Sequence, residues 1–189
     1  YKADIEKGVL TKERAQEYIE CLWLKMAEII YFISDESSRY YAGYQTFHGL
    51  TLSGCDEGGN DVTNELSYMM IQATMDLRMH SPTSNVRLTP QCPPEFREKV
   101  LDLVKLGTGQ PAIYFDDTAF GIMEKLGCSD IDSKDWCIGG CVEPHIPGKT
   151  HRWNEGGRYS YANAVEWVLF DGYSKAHDEY FGLRTGDPC

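Results

Sequence analysis

No apolar run in this sequence approaches the roughly 20 residues that cross a bilayer, and nothing like a signal peptide opens it. A membrane-spanning protein is therefore not expected. Basic side chains are scarce, 18 against 29 acidic ones, for a formal charge of −11. The charges are spread without long blocks, and such a surface repels phosphate backbones, which argues against nucleic acid as a partner. A secreted disulfide framework is missing too. The seven cysteines (21, 55, 92, 128, 137, 141 and 189) are odd in number and irregularly spaced, which fits a reducing cytoplasm. Cys137 and Cys141 form a C-x3-C pair, but no second pair or histidine follows at zinc-finger spacing, so no bound metal is expected. There is no internal repeat, low-complexity tract or domain linker.

What is present is 189 residues, enough for one domain with a core. The start at Tyr1 and the end at Gly186-Asp187-Pro188-Cys189 predict a piece of a larger chain. Helical spacing runs from Thr11, as cap, to about Phe32, with Cys21 as a small buried hydrophobe. Ser34 to Tyr44 reads as a loop, Gln45 to Ser53 as a strand, and Gly54 to Asn60 as a turn. A helix is predicted from Asp61 or Val62 to His80, its methionines packing into the core, and a strand over Asn85–Thr89. Pro93 and Pro94 open a helix through Leu106, and Pro111–Phe115 is a buried strand. Helices follow from Asp117 to Leu126 and from Tyr161 to Phe170. Short strands alternating with helices predict an α/β architecture with parallel strands.

The segment Asp135 to His145 has no helical period and contains Gly140-Cys141-Val142-Glu143-Pro144. In an extended segment residues i and i+2 share a face, which would place the Cys141 thiol beside the Glu143 carboxylate. Sulfur can carry a radical or act as a nucleophile, and a carboxylate can take a proton from a group held next to it. Burial would bring the Glu143 pKa into a useful range.

Four landmarks in order give the chain a family resemblance. They are Gly59-Asn60-Asp61-Val62-Thr63-Asn64-Glu65-Leu66-Ser67-Tyr68; Ser81-Pro82 leading to Asn85-Val86-Arg87; Gly107-Thr108-Gly109-Gln110-Pro111-Ala112 running to Asp116-Asp117; and the Cys141 motif. Together they resemble the central part of a glycyl radical enzyme, the group that includes pyruvate formate-lyase and the diol dehydratases. The resemblance implies part of a ten-stranded α/β barrel with the catalytic cysteine on a central finger loop. It implies a radical stored on a glycine near the C-terminus of the full chain, whose R-V-x-G-Y type motif is absent from residues 1–189. It further implies an activating enzyme carrying an iron–sulfur cluster and S-adenosylmethionine, a homodimer, and no organic cofactor or metal on this chain. The place of action would be the cytoplasm or a bacterial microcompartment.

The branch is partly legible through the same resemblance. Pyruvate formate-lyase has two adjacent cysteines where this chain has Gly140-Cys141, which disfavours keto-acid cleavage. Cys141 corresponds to the thiyl cysteine and Glu143 to the base of the eliminases. Pro147 to Glu155 resembles the P-G-K-T-x-G-W-H-D of diol dehydratases, with Arg152, Asn154 and Glu155 replacing Gly, His and Asp. Glu155 would then touch a substrate hydroxyl, and Phe47 would stand where an aromatic wall lines the pocket. The sulfonate-cleaving branch would show Trp there. His145 and His151 read as structural neighbours of the motif, Cys137 as packing, and Glu65 as a helix cap or dipole partner. The function implied is elimination of water, or another leaving group, from a small hydroxylated substrate. Alternatives are C–N or C–S cleavage, decarboxylation of an aryl acetate and, from another class, a non-catalytic α/β module.

Overall fold

The computed structural model describes residues 1–29, 34, 35, 38, 39, 48–150, 160–181, 184 and 186. The chain divides into two units, Tyr1–Trp153 and Asn154–Cys189.

The first unit is built on a parallel sheet of β1 (Gly49–Ser53), β2 (Thr83–Leu88) and β3 (Ala112–Phe115), in that order. Parallel neighbours need crossovers, and helices supply them: α3 (Glu65–Leu77) between β1 and β2, and α4 (Pro94–Lys105) between β2 and β3. Ahead of the sheet lie α1 (Lys2–Glu6) and α2 (Lys12–Ala27). After it come α5 (Asp116–Lys125), α6 (Asp130–Lys134) and an antiparallel pair, β4 (Cys137–Gly139) and β5 (Glu143–His145).

Strand alternation divides the sheet into two unlike faces. Leu52, Val86 and Ile113 lie on one face and pack with Ile71 of α3 and Phe96, Val100 and Leu103 of α4 in the main core. Complete burial of such side chains stabilises the fold by about 1.5–3 kcal/mol each. Thr51, Arg87 and Tyr114 project from the other, polar face and hold the β4–β5 hairpin. On the helix side, the Trp23 indole of α2 donates to Thr74 Oγ1 (3.1 Å), which also pairs with Ser84 Oγ (2.9 Å), tying α2 and α3 to β2.

The predicted α/β pattern with parallel strands is what forms, with several changes. Thr11 caps α2 by accepting the Arg14 N–H, but Cys21 is exposed rather than buried. Ser34–Tyr44 is not wholly loop: Asp35, Ser38 and Arg39 are helical, with the Ser38 N–H on the Ser34 carbonyl (2.9 Å). The rest of that stretch, and Gln45 to Phe47, lie outside the described residues. The helix expected from Asp61 starts at Glu65, because Asp61 Oδ1 accepts the Thr63 N–H and Asn64 forms a capping box with Ser67. Arg78, left-handed at φ 50°, ends it before His80. Strand β3 is not buried throughout: it borders the described sheet, and Phe115 is 59% exposed. Sequence reasoning missed α1, α6 and the split of the Cys141 segment into two strands.

The second unit holds α7 (Tyr161–Leu169), capped by Ser160, and a short hairpin of β6 (Tyr173–Ser174) and β7 (Glu179–Tyr180). Trp167 stacks on Phe181 with ring centroids 5.7 Å apart. No helix among the described residues is long and apolar enough to cross a membrane.

Candidate active site

Cys141 and Glu143 do not share one extended strand. Cys137, Ile138 and Gly139 pair with His145, Pro144 and Glu143 respectively, leaving Gly140-Cys141-Val142 as the turn. Cys141 thus sits at the hairpin tip, and Glu143 is the first residue of the return strand. Gly140 at φ 62° turns the chain, and Pro144 lies within β5 opposite Ile138. The extended i, i+2 arrangement expected for Cys141 and Glu143 therefore does not form.

The Glu143 carboxylate folds back over the turn. Its Oε2 accepts the Val142 N–H at 3.0 Å. It also lies where a side chain at position 140 would begin: a Cβ there would come within 2.6 Å of Oε2. A second cysteine before Cys141 would have to displace this carboxylate, on a backbone conformation that L-residues rarely adopt. Cys141 itself is exposed and Glu143 half-buried.

The hairpin is mounted on the polar face of the sheet at three levels. At its base, Arg87 of β2 forms a bidentate pair with Asp116 (2.8 and 2.9 Å) and donates to the Trp136 carbonyl (2.8 Å) and the Lys134 carbonyl (3.0 Å). Trp136 Nε1 donates to the same carboxylate at 3.1 Å, and its ring lies 4.6 Å under the guanidinium. Arg87 and Asp116 are 5% and 1% exposed, so the pair is fully desolvated and stands because every charge has several partners. Gly54, at φ 105°, leaves room for it, since a Cβ there would sit 2.6 Å from the guanidinium carbon. Midway, Thr51 of β1 accepts the Ile138 N–H at 3.0 Å. At the tip, the Tyr114 hydroxyl of β3 donates to the Cys141 carbonyl at 2.7 Å. Burial raises the Tyr114 pKa above its usual 10, and the nearby Cys141 and Glu143 raise it further, so both groups lie close to one phenol.

The two faces of the hairpin differ. Ile138 packs with Ala119, Met123, Trp136 and Ile146 in a second core cluster. On the other face a cleft of about 370 Å³ is lined by His48, Cys137, Gly139, Gly140, His145 and Thr150, among others. Among the described residues, His48 Nδ1 and His145 Nε2 in that cleft have no hydrogen-bond partner. Cys137 is half-buried, and burial raises its thiol pKa, with the Asp135 carboxylate adding to the effect, which suits a packing role better than a reactive one. Among the described residues no three metal-binding side chains come together. Glu65 opens α3 and pairs with Lys12 of α2. Phe47, His151 and Glu155 lie outside the described residues.

Sequence reasoning identifies Arg87, Gln110 and Asp116 only as landmarks and misses what they do. Gln110 accepts the Ser84 N–H (2.9 Å) and donates to the Met79 carbonyl (2.8 Å), locking β2 beside the start of β3. An arginine set between Val86 and Leu88 in a predicted strand is the available signal for Arg87. Tyr114, in an ordinary strand pattern, offers none.

The family model for pyruvate formate lyase-like proteins matches residues 1–189. The isethionate sulfite-lyase of Bilophila wadsworthia is 32% identical over 190 residues, covering 99% of this chain and 23% of that protein. A structure described as 1,2-propanediol dehydration in Roseburia inulinivorans superposes with a TM-score of 0.86 at 30% identity, covering 99% of this chain and 23% of that one. The glycerol-bound B12-independent glycerol dehydratase of Clostridium butyricum gives 0.80 at 32% identity, over 93% of this chain and 22% of that one. The chain therefore spans about a quarter of the length of the relatives it matches. Identity does not separate the sulfite-lyase from the diol dehydratases, since both lie near 30%.

Proposed function

The chain belongs to the pyruvate formate lyase-like family, and we propose that it carries the reactive hairpin of a glycyl radical lyase acting on a small hydroxylated substrate. In this reading residues 1–189 are part of a ten-stranded barrel, with the β4–β5 hairpin as its central finger loop. A glycine elsewhere in the full chain stores the radical, installed by a radical S-adenosylmethionine activating enzyme, and two copies of the chain pair as a homodimer.

Cys141, as a thiyl, takes a hydrogen atom from the carbon bearing a hydroxyl, so that a C–H bond breaks and an S–H bond forms. Glu143 accepts the hydroxyl proton, leaving a ketyl radical anion. The adjacent carbon then expels its leaving group with the bonding electron pair. When that group is hydroxide, protonated Glu143 returns the proton and water departs. The product radical recovers its hydrogen from Cys141, restoring the thiyl. The barrel excludes water and oxidants and keeps the reacting atoms in register.

The observation that carries this reading is the turn itself, with Cys141 at the tip and the Glu143 carboxylate folded against Gly140 one residue away. The crowding at Gly140 also favours an eliminase over a lyase with adjacent cysteines. Dehydration of a diol is the specific reaction proposed, with Glu155 accepting a hydrogen bond from a substrate hydroxyl and Phe47 lining the pocket. The test offers activated full-length enzyme a vicinal diol, a quaternary amino alcohol, isethionate and an aryl acetate. Diol turnover that falls about 10²- to 10³-fold in Glu155→Gln supports the dehydratase assignment. Inert diols beside an active sulfonate or amine would transfer it to the corresponding C–S or C–N lyase.

A further inference from the structure

Resting on the thiyl reading of Cys141, we propose that Tyr114 is a positioning residue for the reaction, setting how far and in which direction the Cys141 sulfur reaches. The base of the hairpin is rigid because Arg87, Asp116 and Trp136 are interlocked and buried. The tip has no such burial: Cys141 is exposed, and Val142 is 66% exposed. Among the described residues, apolar packing therefore contributes little at the turn. What reaches it from the sheet is the Tyr114 hydroxyl, 2.7 Å from the Cys141 carbonyl. That carbonyl belongs to the reactive residue itself, so the bond fixes the peptide plane from which the Cys141 side chain departs.

The donor is itself held firmly. Tyr114 stands in β3, in register with Arg87. Its ring meets Trp136 edge-on, with centroids 6.2 Å apart and planes at 86°, and Trp136 is fastened to Asp116. The phenol is thus a rigid strut between the locked base and the open tip. Its raised pKa keeps it protonated, as a donor must be, across the physiological range. Hydrogen-atom transfer needs near-contact between sulfur and the C–H bond, and a misplacement of about 1 Å can cost of order a hundredfold in rate.

The test uses the full-length protein and two readouts, one of which needs no substrate. Hydrogen–deuterium exchange on the resting enzyme compares wild type with Tyr114→Phe. The 140–142 amides should exchange about tenfold faster in the variant, with the 134–138 amides unchanged. On activated enzyme, assayed with propane-1,2-diol, glycerol and isethionate, Tyr114→Phe should keep the glycyl radical content and KM. Its kcat should fall about ten- to a hundredfold, with a larger primary deuterium isotope effect on substrate labelled at the hydroxyl-bearing carbon. Incorporating 4-aminophenylalanine at position 114 restores a donor at nearly the same point and should recover both readouts. Unchanged tip exchange in Tyr114→Phe overturns the proposal. So does a loss that 4-aminophenylalanine fails to recover, because that marks a packing role. Activity retained in Cys141→Ser would overturn the thiyl reading instead, whatever Tyr114 does.

Discussion

The base and the tip of the β4–β5 hairpin are a few residues apart and are built on opposite principles. At the base, a guanidinium, a carboxylate and an indole are sealed from water and satisfy one another several times over. At the tip, Cys141 and Val142 are exposed among the described residues, held by a carboxylate curling back from within the hairpin and a phenol reaching from the sheet. On the proposed thiyl reading, a group that meets both a substrate and a radical source has to stay accessible, and the buried pair beneath it supplies a fixed base for its position. A desolvated charge pair is suited to such a foundation, because it contributes little net stability yet has a nearly unique geometry.

The two ends should fail differently. The largest effect belongs to the tip's chemistry: in activated full-length enzyme, Cys141→Ser should abolish turnover while the glycyl radical signal in electron spin resonance and the thermal midpoint stay as in wild type. Measurable turnover in that variant would remove Cys141 from the mechanism. Next, Glu143→Gln keeps the shape and loses the base. The expected fall in kcat is about 10²- to 10⁴-fold with folding untouched, and a variant as fast as wild type would assign the proton to another group.

At the base the damage should appear in stability. Arg87→Met strands a buried carboxylate and should cost about 3–5 kcal/mol by denaturant unfolding. The double variant Arg87→Met/Asp116→Leu should recover much of that loss, and a double variant no better than the single one would show that the pair does more than neutralise itself.

A smaller effect is pH-dependent. Tyr114 has its pKa raised above its ordinary value of 10, first by burial and then by Cys141 and Glu143. Its contribution is therefore complete below that ordinary value and lost as pH rises through the raised one. The protection of the tip amides, relative to their intrinsic base-catalysed exchange, should stay flat from neutrality up to the ordinary value and fall above it in wild type but not in Tyr114→Phe. Least of all, Lys149→Met should leave the thermal midpoint at neutral pH unchanged, although Lys149 pairs with Asp132 and holds that carboxyl below its usual 3.8. The pair is exposed and screened, and its effect exists only above the carboxyl's ordinary value, fading as pH falls through the lowered one.

Much of the fold is legible in the sequence because its causes are local. Apolar spacing in α3, α4 and α5, the Thr11 cap and the proline opening of α4 act through neighbours in the chain. The errors fall where a distant or unforeseen partner decides. Cys21 lies in an apolar run beside Leu22 and Trp23, yet it is exposed among the described residues. The β4–β5 hairpin reads as one strand although Gly139-Gly140 is itself a turn signal; the turn rests on a positive φ at Gly140. In the site, Cys141 and Glu143 are legible from their own motif. Arg87 and Asp116, 29 positions apart in sequence, are visible only as landmarks.

The sequence by itself determined the alternation of the main strands and helices, the Thr11 cap and the proline opening of α4, and the placing of a thiol and a carboxylate on either side of one residue. These follow from backbone preferences and periodicity, which neighbouring residues impose directly. Only the tertiary structure decided that Cys141 stands in a turn and Glu143 on its return strand, that a buried arginine pair carries that turn, and that a phenol from the neighbouring sheet touches its tip. Those are hydrogen bonds and desolvated charges between segments far apart in the chain, and their energies exist only once the sheet has brought the partners together.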